Sequence, residues 1–97
     1  NDVTAMVTVQ VAKSLGIKVP QDLSVIGMND QPEAETTDPP LTTVAIPRQE
    51  LGRCAMEMLL AVAEGSFGEF QSRALDCRLV VRNTTAPPAR PDRGERT

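Results

Sequence analysis

Residues 19–44 read V-P-Q-D-L-S-V-I-G-M-N-D-Q-P-E-A-E-T-T-D-P-P-L-T-T-V, and they join two apolar segments through a polar one. The run Leu23–Gly27 is short and apolar, which predicts a strand buried on both sides. Residues 28–40 hold three prolines, four acids and no apolar periodicity, so we expect a loop there. Leu41–Ile46 is the next predicted strand, and Pro47 ends it. In open α/β sheets, a loop that follows a strand in this way is where ligands bind.

The amino-terminal segment is predicted to be a helix. Its apolar residues recur at helical spacing, at Val3, Met6, Val7, Val11 and Leu15. Asp2 is the predicted N-cap, and Gly16 stands at a C-cap position. Val7, Val9 and Val11 also alternate with polar residues, which is typical of a strand. The helix is preferred because the apolar set is longer than this alternation and has caps at both ends.

The clearest amphipathic helix covers about residues 48–64. Its apolar positions follow the pattern i, i+3, i+4, i+7, i+8, i+11, at Leu51, Cys54, Ala55, Met58, Leu59 and Val62. A loop is predicted at residues 66–72. The following apolar residues alternate with polar ones and predict a half-buried strand, at Leu75, Cys77, Leu79 and Val81. The Pro/Arg-rich residues 86–97 predict a disordered tail.

Composition excludes several classes of protein. The 97 residues have a formal net charge of -3, so this segment has no basic face for nucleic acid. No apolar run is long enough to span a membrane, and no secretory signal is visible. Histidine is absent, which removes the commonest general base and the commonest metal ligand. We expect no enzyme, no cofactor, no metal and no membrane association.

Cys54 and Cys77 fall in a helical and a strand pattern, respectively, without clustered metal-ligand spacing. Buried free thiols are therefore expected, which weakly favours a reducing compartment. The element order is helix, strand, loop, strand, helix, strand, and the fold class is α/β. Three strands and two helices leave apolar faces uncovered, so the chain is expected to be the end of a larger fold.

Five motifs, in this order and spacing, resemble the carboxyl-terminal part of a lactose-repressor-type (LacI family) transcriptional regulator. The resemblance covers roughly residues 1–87. The motifs are Asn1-Asp2-x-x-Ala5, then Gly16-x-x-Val19-Pro20-x-Asp22-x-Ser24-Val25-Ile26-Gly27-x-x-Asp30, then Pro39-Pro40-Leu41-Thr42-Thr43-Val44, then Leu51-Gly52-x-x-Ala55, and finally Leu79-Val80-x-Arg82-x-Thr84-Thr85.

The resemblance implies an incomplete Rossmann-like sandwich of the type I periplasmic-binding-protein kind, with a small-molecule effector held between two lobes. Residues 1–46 and 73–85 would belong to the carboxyl-terminal lobe. Residues 47–72 would supply a crossover and a helix of the other lobe, with residues 86–97 as the tail. The resemblance further implies a cytoplasmic homodimer that binds operator DNA only through a helix-turn-helix headpiece, which these residues lack.

The resemblance implies three effector-binding residues. Asn1 matches the asparagine of the family's N-D motif, although it could also only support the helix start. Asn29 stands where the family usually has aspartate. An amide both accepts and donates, which permits a ligand with an acceptor or a negative charge, although Asn29 could instead stabilise its own turn. Arg48 would suit an anionic group, or it is a solvated first-turn residue. Asp30 is expected to hold the loop.

The function that the resemblance implies is effector sensing and dimerisation for a repressor, in which a sugar or related polar metabolite shifts the orientation of the lobes. The alternative is a periplasmic sugar-binding protein of the same fold, which delivers its ligand to a transporter. A signal peptide or a helix-turn-helix upstream in the gene would discriminate between the two.

Overall fold

The computed structural model describes residues 1–65 and 72–88. These residues form two compact units. The sheet unit comprises residues 1–45 and 78–88, and the helix unit comprises residues 46–65 and 72–77. Residues 66–71 of the predicted loop and residues 89–97 of the predicted tail lie outside the described residues.

The first helix, α1, runs from Asp2 to Ser14, which confirms the helical interpretation over the strand. The N-cap is Asn1, whose Oδ1 accepts from the Thr4 amide at 3.0 Å, so the prediction of Asp2 as the cap was wrong. Asp2 is the first helical residue, and its carboxylate bonds to Thr43 and Gln31 instead of capping the helix. The helix ends at Ser14 with Leu15 as its C-cap. Gly16 follows at φ +75, a conformation that glycine adopts without steric cost.

One face of α1 packs on the sheet through small residues. Its buried positions are Asp2, Ala5, Val9 and Ala12. Ala5 and Val9 join a core cluster with Val25, Ala34 and Leu41. Leu41 is only 1% exposed, and burial of such a side chain stabilises a fold by about 1.5–3 kcal/mol. Small residues on this face let the helix backbone approach the strands closely.

The sheet has the order β1-β2-β3 within the described residues. β1 is Ile26–Met28, β2 is Thr42–Ala45 and β3 is Arg78–Val80. β1 and β2 are parallel, with Gly27 opposite Thr43, whereas β2 and β3 are antiparallel, with Ala45 opposite Arg78. All three predicted strands are present but shorter than predicted.

The predicted burial of two strands was wrong. Ile26 and Met28 of β1 are exposed, whereas Gly27 between them is buried. In and after β3, Leu79 and Val81 are exposed and Val80 is partly buried, the reverse of the predicted inner face. In the described part of the chain, α1 covers only one face of this sheet, so apolar residues that point to the other face stay in contact with solvent.

The predicted loop at residues 28–40 contains a 3₁₀ helix, Pro32–Glu35. Ala34 in this turn is fully buried in the core cluster, and its carbonyl accepts from the Leu41 amide at 2.8 Å. A single alanine creates no periodicity, so the sequence pattern could not show this buried contact.

The residues that follow β3 also bond to the sheet unit. The Ser24 hydroxyl accepts from the Ala86 backbone amide at 3.1 Å. Residue 86, assigned to the predicted tail, is therefore attached to the sheet unit.

The helix unit contains α2, Arg48–Ala63, as predicted. Pro47 precedes it, and Gly65 follows it at φ +83. An Arg53–Glu57 ion pair of 2.9 Å links successive turns. Cys54 is buried and free, as predicted, but Cys77 is free and exposed, so its predicted burial was wrong.

Large apolar side chains of α1 are exposed on the face opposite the sheet. Val3, Val7, Val11 and Leu15 are each at least half exposed, although their spacing is that of a buried helix face. Exposed apolar residues that lie next to one another mark interaction or aggregation surfaces.

We expect the isolated 97-residue chain to self-associate and to bind a hydrophobic dye, because this apolar face is open. Val7 is 52% exposed and Val9 is 6% exposed. Val7→Gln should lower dye fluorescence and the sedimentation coefficient without loss of helical circular dichroism, whereas Val9→Gln should lower helicity. A wild-type chain that is monomeric and melts cooperatively would contradict the expectation.

Candidate functional site

The carboxylate of Asp2 is fully buried and joins three segments of the sheet unit. Its Oδ1 accepts from the Thr43 hydroxyl of β2 at 2.6 Å. Its Oδ2 accepts from the backbone amide of Gln31, two residues after Asn29, at 2.7 Å. The carboxylate also lies in the first turn of α1, where the helix dipole favours negative charge. Asp2 therefore holds α1, β2 and the segment after β1 together.

The start of α1 approaches β1 at Gly27. A Cβ placed on Gly27 would overlap Asp2 Oδ1, and it would lie 2.9 Å from Leu41 Cδ2 and 3.2 Å from the Asp2 Cα. The overlap involves both the backbone and a buried carboxylate, neither of which can move away freely. Gly27 is thus required for this close approach, and its φ is not the reason.

The chain turns sharply directly after β1. Asn29 and Asp30 have φ values of 118 and 55, in the region that favours glycine. Such conformations cost of order 1–3 kcal/mol each and persist where surrounding contacts hold them. Here the Asn29 backbone amide donates to the Val44 carbonyl at 2.8 Å, and the Asp30 backbone amide donates to the Thr43 hydroxyl at 3.3 Å. We refer to residues 29–31 as the carboxyl turn.

Arg82 stabilises the carboxyl turn from the segment after β3. Its Nη2 donates to Asp30 Oδ1 at 2.8 Å, and its Nη1 donates to the Leu41 carbonyl at 2.9 Å. The side chains of Arg82 and Asp30 are 15% and 25% exposed, respectively. Asp30 therefore holds the loop, as predicted. The contribution of Arg82 was missed because it depends on a partner 52 residues away.

Buried threonines attach the segment after β3 to β2 and to the residue that precedes β1. Thr84 is fully buried, and its hydroxyl donates to the Val25 carbonyl at 2.7 Å and accepts from the Thr42 amide at 2.9 Å. The Thr42 hydroxyl accepts from the Arg82 amide at 2.9 Å. The Val25 backbone amide also donates to the Thr84 carbonyl at 2.9 Å.

The structure places two of the three predicted site residues in the sheet unit. Asn1 precedes the buried Asp2. Asn29 is the first residue of the carboxyl turn, in which the Gln31 backbone amide donates to the Asp2 carboxylate. Both asparagines therefore flank the same hydrogen-bonded cluster. Arg48 is exposed and begins α2 in the helix unit. The effector-binding roles of all three residues stay predictions.

Three concavities of the sheet unit have volumes of about 310, 220 and 350 Å³. They are lined by residues of α1 and of the segments around Val19 and Pro39 or around Leu23, and neither Asn1 nor Asn29 lines any of them.

Across residues 1–65 and 72–88, no group of three or more histidine, cysteine or acidic residues could hold a metal ion. In the same residues, no helix is long and apolar enough to cross a membrane.

The family model for the periplasmic binding protein-like domain matches residues 1–85. The transcriptional repressor CytR of Escherichia coli K12 is 45% identical over 85 residues, which are 88% of this chain and 25% of that protein. A lac repressor dimer bound to operator and the anti-inducer ONPF is a structural neighbour, with a TM-score of 0.80 and 30% identity over 88% of this chain and 29% of the repressor. The chain belongs to the periplasmic binding protein-like domain family. It is similar to the corresponding part of LacI-type transcriptional regulators.

Another LacI-family neighbour is a regulator from Arthrobacter sp. FB24 in complex with lactose. It is 37% identical, with a TM-score of 0.75 over 89% of this chain and 33% of that structure. The resemblance and the incomplete periplasmic-binding-protein-like fold are confirmed. The chain spans about a quarter of the length of the curated relatives it matches. All the relatives named are transcriptional regulators, which supports the regulator interpretation over a transport-associated sugar-binding protein.

Gly27→Ala should lower the free energy of unfolding by about 1–3 kcal/mol, because the added methyl group overpacks against Asp2 and Leu41. Gly52→Ala is the matched control. It lies within α2, and apart from its chain neighbours and the backbone of its own helix no described atom lies within 4 Å of the added Cβ. This variant should therefore stabilise by about 0.5–1 kcal/mol through helix propensity. Urea unfolding of the full-length gene product measures both changes. Equal midpoints for the two variants would show that the close approach at Gly27 is not constrained.

Proposed function

We propose that this chain is part of the effector-sensing core of a LacI-type repressor. In this proposal, residues 1–46 and 73–85 form part of the carboxyl-terminal lobe, and residues 47–72 belong to the other lobe. The observation that supports it best is the carboxyl turn. Strained residues that buried contacts hold in place are typical of ligand sites, and this turn follows a parallel strand at the edge where α/β folds bind ligands.

The proposed effector is a small polar metabolite of the sugar class. The Arthrobacter relative was solved in complex with lactose, which supports a carbohydrate or a similar ligand. Asn29 and Asn1 would supply amide groups that can both donate and accept. Because Asn29 is an amide, the proposed ligand presents an acceptor or a negative charge at this position, where an aspartate would favour the hydroxyls of a neutral sugar.

The proposed mechanism is a shift between two arrangements of a cytoplasmic homodimer. An effector that binds one arrangement more tightly shifts the population toward it, and the operator affinity changes by linkage. Operator binding would reside in a segment outside these 97 residues, since their net charge of -3 offers no basic surface to DNA. The proposal includes no catalysis.

Asn29→Asp should exchange the preference of the effector site. Isothermal titration of the full-length gene product with a panel of neutral sugars and their phosphorylated or acidic counterparts would measure it. We expect the wild type to prefer the acceptor-bearing or anionic ligands, and the variant to bind them about tenfold more weakly, because a second negative charge opposes them. Asn83→Asp, an exposed asparagine outside the turn, is the matched control. Identical affinities in the two variants would contradict a role for Asn29.

Arg48→Gln tests the predicted contact between Arg48 and the effector in the same assay.

Selection from a random-sequence DNA library should enrich an operator with the full-length gene product. The isolated 97 residues should enrich none at the same salt concentration, because phosphate contacts need basic residues that this segment does not cluster. Gel-shift titration of the enriched duplex measures both affinities. Specific operator binding by the 97 residues alone would refute the proposal that DNA is bound elsewhere.

A further inference from the structure

The three backbone amides of the carboxyl turn all donate to groups outside the turn. The backbone amide of Asn29 donates to the Val44 carbonyl, that of Asp30 to the Thr43 hydroxyl, and that of Gln31 to the Asp2 carboxylate. Two of the three acceptors lie on β2 and the third lies on α1. The backbone of the turn is thus held from two sides. Among the described residues, the one ion pair shorter than 3 Å that a side chain of the turn makes is Asp30–Arg82.

Arg82 follows the strand by which the chain returns to the sheet unit. The chain leaves the unit after Ala45 and re-enters it at Arg78, and these two residues are opposite each other in the β2–β3 pair. Arg82 lies four residues beyond Arg78, and its own amide donates to the Thr42 hydroxyl of β2. The turn is therefore bonded both to the outgoing strand and to the segment that continues the returning strand.

The two contacts of the Arg82 guanidinium have different consequences. Nη1 donates to the Leu41 carbonyl directly before β2, which fixes the guanidinium against the backbone of the sheet unit. Nη2 is then held at 2.8 Å from Asp30 Oδ1. A planar guanidinium can make both bonds in one rigid geometry, whereas a lysine ammonium on a flexible stem holds neither partner at a fixed angle. Glu35 lies 3.9 Å from Nη2 but is mostly exposed, so it is a weak competitor for this cation.

We propose that Arg82 is a positioning residue for the effector site: its guanidinium ties Asp30 to the backbone before β2 and so keeps Asn29 and Asp30 at positive φ. The inference rests on the proposed effector role of Asn29. Without the Asp30–Arg82 pair, the strained turn relaxes toward ordinary backbone conformations, and the amides of residues 29–31 lose their acceptors. The ligand-binding conformation is then only partly populated, and the effector affinity falls by the same fraction.

Hydrogen–deuterium exchange of the full-length gene product, without any effector, tests the positioning role. Arg82→Gln should raise exchange in peptides that span residues 26–34 by about tenfold, because local opening becomes easier. Peptides from α1 should stay within about twofold of the wild type. In Arg82→Lys, exchange of the peptides that span residues 26–34 should lie between that of the wild type and that of Arg82→Gln. Arg78→Gln is the matched control, since Arg78 is exposed and has no ion pair among the described residues.

A second variant keeps the test decisive if Arg82→Gln unfolds the sheet unit. Asp30→Asn removes only the charge, and asparagine tolerates a left-handed backbone, so α1 exchange should be unchanged while the turn opens. Exchange at residues 26–34 in Asp30→Asn and in Arg82→Lys that equals that of Arg78→Gln would overturn the positioning role. This readout needs no ligand. A turn that opens as expected in a protein that binds no member of the sugar panel would therefore refute the proposed effector class and leave the positioning role intact.

Discussion

The buried carboxylate of Asp2 is the group on which the arrangement of the sheet unit depends. A fully buried charge is costly unless hydrogen bonds compensate it, and here the Thr43 hydroxyl and the Gln31 amide supply them. Those bonds are short because Gly27 has no side chain to separate α1 from β1. Helix, sheet and carboxyl turn therefore share one buried acceptor, the Asp2 carboxylate.

The carboxyl turn combines strain with support. Asn29 and Asp30 adopt a backbone conformation that asparagine and aspartate tolerate better than other non-glycine residues. Bonds from β2, Asp2 and Arg82 then keep it populated. A turn that is held from outside is preorganised, so a ligand that binds there, as proposed, would not have to order it. This property suits the proposed sensor, whose affinity must depend on one conformation more than on another.

Much of the secondary structure followed from patterns within single segments. Both helices were predicted from spacing and end residues, because caps and the 3.6-residue period are local properties. The strands were located but their faces were not. Leu79 and Val81 alternate as a buried face should, yet they are exposed in the described chain, which spans about a quarter of its relatives' length. Alternation shows that a strand has an apolar face, but it cannot show whether a partner covers that face.

The amino-acid order alone established the α/β class, the element order and the family, because each rests on residues close in the chain or on motifs in a fixed succession. The tertiary structure decided which polar groups meet. Asp2 looked like a helix cap and is a buried acceptor for β2 and the turn. Arg82 looked like one residue of a terminal motif and pairs with Asp30, 52 residues earlier. Hydrogen bonds depend on distance in space, and only the folded chain brings these side chains within 3 Å of their partners.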